Sequence, residues 1–188
     1  MVTPIDKNTA LVLIDLQKGI FQTPAAHPAE DILKNCAALV AAFRDAGLPI
    51  VVVNVVPAGL WTKTRKVAAS LPAQYPEGWN EIVPEIKTRP NDIFITKPSW
   101  GAFNDTPLND ELQKRGVTGI VLAGISTSIG VEGTARQAVL HGYNLTFAID
   151  AMTDRVMEAH NCSINYIFPR IGEVDTTANI IEKLEVRA

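Results

Sequence analysis

Thr118-Gly-Ile-Val-Leu-Ala-Gly-Ile-Ser-Thr-Ser-Ile-Gly-Val-Glu-Gly-Thr-Ala-Arg136 is the stretch that decides the fold. Thr118 to Gly124 is a short, unbroken apolar run, the pattern of a strand covered on both faces. From Val131 to His141 the apolar residues recur at helical spacing, and Gly142 can close that helix in a left-handed conformation. A buried strand that turns through small residues into a helix presents backbone N–H groups at the helix start, where they favour an anion or a developing oxyanion. Many α/β enzymes place a Ser or Cys at such a turn. Here the residue closest to the helix is Gly130, preceded by Ser126, Thr127 and Ser128, so the turn holds no strong nucleophile.

The same alternation of apolar runs and amphipathic segments extends to both ends of the chain. It predicts strands near Thr9–Leu16, Ile50–Val56, Ile93–Thr96, Gly119–Ala123, Leu145–Ile149 and Glu173–Asp175. Helices are expected over Ala29–Ala46, Asn109–Arg115, Gly130–His141, Glu158–Ile171 and Thr176–Leu184. The fold class is therefore α/β, a three-layer α/β/α sandwich around a mostly parallel, Rossmann-like sheet of about six strands. A chain of 188 residues, 47% of them hydrophobic, is long enough for one well-buried core and short for two, so a single domain over 1–188 is expected. Between Pro57 and Asn91 the chain is irregular and proline-rich, with Trp61 and Trp79, as expected of a lid, a partner surface or a run of short helices.

Net charge is −3 and the basic residues are scattered, so no electrostatic footprint for nucleic acid or an anionic membrane is present. Nor is any apolar run long enough to span a membrane, and the protein reads as soluble and cytoplasmic with a small-molecule partner. Cys36 and Cys162 fall within helical patterns without metal-ligand spacing and are expected to be small buried hydrophobes. The histidines His27, His141 and His160 lie far apart in sequence, and no metal motif is formed.

In an open parallel sheet, ligands bind beyond the C-terminal strand ends. Those ends hold Asp15, Val56-Pro57, Lys97, Gly124 to Ser128 and Asp150. Asp15 follows the apolar Leu11-Val-Leu-Ile14, where desolvation would raise its pKa and a nearby ammonium would lower it. It could equally cap a helix or anchor a loop. Lys97 ends its own strand and is fixed behind by Pro98, either as a partner for that carboxylate or as a lysine snorkelling to solvent.

Ala10-Leu-Val-Leu-Ile-Asp-Leu-Gln17, Lys97 with Ser99-Trp-Gly-Ala-Phe103, and the turn from Gly124 to Arg136 together resemble the isochorismatase-like hydrolases, also called cysteine hydrolases. The three motifs occur in the family order over nearly the whole chain. The resemblance implies a catalytic set at Asp15, Lys97 and Gly130, the last in the place of the family's cysteine. It further implies oxyanion donors from the amides of Ser126 and Gly130, a non-proline cis bond between Ile125 and Ser126, and a homodimer or larger homo-oligomer. Isochorismatases proper also carry Gly at this position and cleave a vinyl ether by proton donation from the Asp. Their Tyr-Ala-His stretch is replaced here by Ser126-Thr127-Ser128, which leaves the substrate open. The Asp-x-His metal motif of nicotinamidases is also absent, its place reading Val55-Val-Pro-Ala-Gly-Leu-Trp61, so no metal or other cofactor is expected.

The resulting expectation is a cofactor-free hydrolase of a small organic substrate. Its rivals are a catalytically silent small-molecule-binding or assembly protein, and an amidase whose Cys was replaced by Gly. Phe21, Trp61, Trp100 and Phe103 are candidate substrate-pocket walls that could equally pack in the core. The hydroxyls of residues 126–128 could supply a nucleophile, but the sequence offers no neighbouring histidine base; turn-amide satisfaction is their ordinary use. Glu132, Arg136 and Asp150 are read as structural.

Overall fold

A computed structural model describes residues 3–56 and 75–185. Six strands, β1 (Thr9–Ile14), β2 (Ile50–Val55), β3 (Ile93–Lys97), β4 (Gly119–Ile125), β5 (Asn144–Thr153) and β6 (Glu173–Asp175), form one sheet in the order β3-β2-β1-β4-β5-β6. Every neighbouring pair is parallel. The helices are α1 (Lys18–Phe21), α2 (Ala29–Asp45), α3 (Leu108–Gln113), α4 (Glu132–Leu140), α5 (Met157–Cys162), α6 (Phe168–Ile171) and α7 (Thr177–Glu185).

Successive side chains of a strand point to opposite faces, and β1 shows what that does here. Leu11 and Leu13 pack with Leu39 and Phe43 of α2 and Ile180 of α7, whereas Ala10, Val12 and Ile14 pack with Leu112 of α3, Ala135 of α4 and Phe168 of α6. These are the outer layers of the sandwich. Because both faces are covered, β1 is buried at all six positions, which is why its sequence is a continuous apolar run. Fully burying a side chain such as Leu13 contributes roughly 1.5–3 kcal/mol. At the edge, β3 alternates buried and exposed residues and leaves Phe94 largely in solvent.

Strand β1 ends at Ile14 rather than Leu16 because Asp15 turns the backbone into the left-handed region, φ 53°. Strand β5 runs on to Thr153, beyond the expected Ile149. Leu122 pairs with Phe147 and Gly124 with Met152, so five steps of β5 match two of β4 and the surplus forms a bulge. Asp150 lies in that bulge instead of at the ligand edge, and its Oδ1 accepts from the Thr177 amide at 2.7 Å and the Thr177 hydroxyl at 2.8 Å, capping α7.

Two expected helices are interrupted by wide turns. Thr127–Val131 forms a π-helical turn before α4, with the Ser126 carbonyl accepting from both Ile129 and Val131 at 3.1 Å. A second wide turn, Ser163–Ile167, separates α5 from α6, whose Pro169 has no N–H for the preceding turn. No helix among the described residues is long and apolar enough to cross a membrane.

Candidate functional site

The strand order reverses between β1 and β4, and an α/β sheet opens its ligand crevice at such a switch point. Asp15 leaves β1 on that edge and Lys97 ends β3, two strands away. The lysine crosses the end of β2 to place Nζ 2.7 Å from Asp15 Oδ2. It also donates to the carbonyls of Ser99 at 3.1 Å and Trp100 at 2.9 Å, so three acceptors meet the three ammonium protons. Both side chains are almost wholly buried. Asp15 Oδ1, also buried, has no hydrogen-bond partner among the described residues.

Burial pushes the Asp15 carboxyl up to about 6, the attraction of Lys97 and its hydrogen bond pulling the other way without prevailing. A carboxyl group with that value exchanges a proton near neutrality, the range in which a general acid or base is most effective.

Across the crevice, β4 runs through Gly124 into the cis peptide bond between Ile125 and Ser126. Gly124 has φ 123°, and a Cβ there would fall 2.1 Å from the Ile14 carbonyl oxygen, so only glycine allows β4 this close to β1. The turn beyond is tied down by its own hydroxyls. Thr127 Oγ1 lies 2.8 Å from His160 Nδ1, and the Ser128 amide and hydroxyl both donate to Asp154 Oδ2 at 2.8 Å. Thr127 thus has a histidine beside it, contrary to the sequence-based expectation. Residue 160 reaches it because α5 packs under the turn, a contact spanning 33 positions of sequence. His160 is buried, which holds its pKa below the usual imidazole value, with His27 adding to the effect and Asp154 opposing it.

Gly130 completes the constellation. A Cβ at this residue would stand 3.1 Å from Asp15 Oδ2 and 2.9 Å from Ile14 Cγ2, so its bare face points at the Asp15–Lys97 pair. Asp15, Lys97, Ser126 and Gly130 are therefore brought together at one edge of the sheet.

The aromatic candidates divide. Phe21 lines a cavity of about 250 Å³ with His27, Ile125 and Arg155. Trp100 holds Lys97 through its carbonyl and leaves its ring half exposed. Phe103 is a core residue rather than a pocket wall: it stacks on His141 at 5.0 Å and lies 5.8 Å from Tyr143, because its strand-end loop folds back over α4. Trp61 lies outside the described residues. Cys36 is buried as expected, its thiol pushed up by burial, but Cys162 is exposed because it sits on the outer side of α5. Glu132 bonds Arg136 at 2.8 Å and the Ser163 hydroxyl at 2.7 Å, consistent with a structural use.

Three contributors were missed from sequence. Gln17 is fully buried and bonds the Val55 carbonyl at 3.1 Å and amide at 2.6 Å, continuing the β1–β2 pairing past the kink at Asp15. Its signal is a polar residue after an apolar run, at the end of Ala10-Leu-Val-Leu-Ile-Asp-Leu-Gln17. Asp154 stands at the true end of β5, and only the bulge distinguishes it from Asp150. His160 carried no local signal. Size alone would also mislead: larger recesses of about 340 Å³ near Asp6 and Tyr143 and about 560 Å³ between α2 and α7 do not touch Asp15 or Lys97.

The isochorismatase domain model matches residues 9–179. The isochorismatase family protein YecD of Escherichia coli O157:H7 is 42% identical over 95% of this chain and 97% of its own length. YwoC of Bacillus subtilis, a protein of the same family, is 40% identical over 95% of each chain. A maleamate amidohydrolase of Pseudomonas putida is more distant, 25% identical over 95% of this chain and 87% of that one. Among solved structures, an isochorismatase family protein from Burkholderia thailandensis superposes with a TM-score of 0.86 at 33% identity, covering 98% of this chain and 100% of that one. Kinship in sequence and in fold extends across almost the full chain: the protein belongs to the isochorismatase family, whose members are hydrolases.

Proposed function

We propose that the protein is a cofactor-free hydrolase of a small organic molecule that works without the family's cysteine nucleophile. Asp15 is the proton-transfer group, Lys97 its electrostatic partner, and the amides of Ser126 and Gly130 donate to a polar oxygen of the substrate. The observation that carries this reading is the Asp15 carboxyl, raised to about 6 by burial and facing a residue with no side chain. Such a group suits protonation of an electron-rich carbon better than activation of a nucleophile the turn does not provide.

On a vinyl ether, protonated Asp15 gives its proton to the terminal alkene carbon as the π electrons form the new C–H bond, leaving an oxocarbenium ion. Lys97 stabilises the carboxylate that remains. Water adds through its oxygen to the cationic carbon and returns a proton to Asp15. Collapse of the hemiketal releases an alcohol and a carbonyl compound. The family resemblance supports a homo-oligomer, and the composition supports a cytoplasmic location.

A second reading, an amidase whose Cys was replaced by Gly, is favoured by one observation. The missing Cβ at Gly130 would stand 3.1 Å from Asp15 Oδ2, where a base could take a thiol proton. A panel of vinyl ethers, primary amides, N-carbamoyl compounds and esters separates the readings. We expect vinyl-ether turnover by the wild type and a loss of roughly 10²–10⁴-fold in Asp15→Ala. Binding without turnover in every class would instead support the silent-binding alternative, and turnover unchanged in Asp15→Ala would remove Asp15 from the chemistry.

A further inference from the structure

We propose that a recess at the opposite edge of the sheet from Asp15 is a binding site for a phosphoryl anion, held by the guanidinium groups of Arg44, Arg89 and Arg115. The site is independent of the function proposed above. The recess, about 280 Å³, lies at the N-terminal ends of two strands, where Ile50 opens β2 and Ile93 opens β3. Lys97 closes the other end of β3, which separates the two places by about 13 Å of extended chain. A phosphoryl group in the recess therefore does not touch the proton-transfer pair.

Three of the four charged residues lining the recess are arginines, and Asp92 is the fourth. The arginines come from separate elements: Arg44 from the last turn of α2, Arg89 from the loop before β3, and Arg115 from just beyond α3. Asp92 is already committed. Its Oδ2 accepts from Arg44 Nη2 at 2.8 Å and from the backbone N–H of Arg89 at 2.6 Å, so it neutralises one guanidinium and fixes the root of another. Arg115 Nη1 donates to Glu111 Oε2 at 2.7 Å, and its remaining nitrogens are unbonded among the described residues. Arg44 and Arg115 also stand where helix C-termini favour a cation. Arg89 lies in no helix, and its guanidinium has no hydrogen bond or ion pair with any described residue. Arg44 Nε is buried and likewise has no partner among them. Asp92 and Glu111 thus leave one charge uncancelled and donors of three guanidinium groups unused. One guanidinium fork satisfies a planar carboxylate, whereas donors arriving from three elements suit a tetrahedral anion, whose oxygens accept from separate partners and whose charge approaches two at neutral pH.

Titration calorimetry on the intact chain at constant ionic strength, with inorganic phosphate, glycerol phosphate and acetate, tests the site. Both phosphates should bind saturably, and acetate should bind roughly tenfold more weakly. Arg89→Gln should lose roughly tenfold or more in phosphate affinity, Arg89→Lys should keep part of it, and adding Arg115→Gln to Arg89→Gln should weaken binding further. Arg89 and Arg115 are exposed, so these changes leave the fold intact. Amide NMR shifts on binding should centre on Gly47, Asn91 and Asp92 with Ser126 and Gly130 unmoved, and Asp15→Asn should bind phosphate as the wild type does. Tighter binding of glycerol phosphate assigns the site to a phosphate monoester, and tighter binding of inorganic phosphate assigns it to the free ion. No saturable binding, affinity unchanged in Arg89→Gln, acetate held as tightly as phosphate, or shifts centred on Ser126 and Gly130 would overturn the assignment.

Discussion

On the β1/β3 side of the site, Asp15 and Lys97 are buried charges whose pairing leaves one carboxylate oxygen unbonded among the described residues; on the β4/β5 side, Asp154 is just as buried but accepts from Ser128 twice and from Arg155. Both carboxylates sit at a strand end. Asp15 is raised from its ordinary value, because desolvation there outweighs a single cationic partner. A buried polar group that is fully satisfied fixes geometry, while one left partly unsatisfied keeps a reason to change protonation state. In the proposed mechanism the first side carries the chemistry and the second the positioning, with Gly130 at their junction.

Replacing Asp15 should give the largest effect. Asp15→Asn retains the shape and an acceptor for Lys97, and turnover should fall by roughly 10²–10⁴-fold with the fold intact. Asp15→Ala leaves Lys97 buried without a counter-charge and should also cost about 3–5 kcal/mol of stability by denaturant melt. If Asp154→Ala lost as much turnover as Asp15→Asn, the division between the sides would fail.

Gly130→Cys probes the junction itself. The thiol would sit near the start of α4 beside Asp15 and Lys97, where its pKa should fall. Iodoacetamide should label it faster than the exposed Cys162, with Cys36 protected by burial, and the advantage should vanish in an Asp15→Asn background. Equal or slower labelling would mean that the 2.9 Å approach to Ile14 Cγ2 turns the side chain out of the site and that the two sides do not act together there.

Lys97→Met sharpens the electrostatic half of the contrast. It removes the attraction that opposes burial, so the Asp15 midpoint should move above about 6. If the protonated acid is the working form, wild-type activity falls as pH rises through about 6, and the variant's falling limb should move to higher pH at a lower maximal rate. A rising limb in the wild type would identify the carboxylate as the working form and favour the amidase reading. Asp154→Ala should have the smallest effect on chemistry: about 1–3 kcal/mol of stability from unsatisfied Ser128 and Arg155 amides, with the Asp15 midpoint unmoved.

What could be read from sequence follows the same division. Asp15 and Lys97 were visible because each ends an apolar strand, and strand ends are ordered by topology. Gly130 was visible because its motif is contiguous. The positioning side was not legible, since its bonds join residues 26 and 33 positions apart and depend on a bulge that no local pattern announces. Periodicity puts Asp150 at the polar end of β5, whereas the surplus residues in the bulge carry the strand on to Thr153 and leave Asp154 at its end. Phe103 failed for a related reason: an aromatic after a strand end looks the same in sequence whether its loop opens to ligand or folds onto a helix.

The most direct test of the central claim is a carbon-detected NMR titration of the Asp15 side-chain carboxyl, assigned by comparison with Asp15→Asn. The account predicts a midpoint near 6, well above the ordinary 3.8. A midpoint at or below 3.8 would contradict it, because Asp15 would then be the settled half of an ion pair with no proton to give.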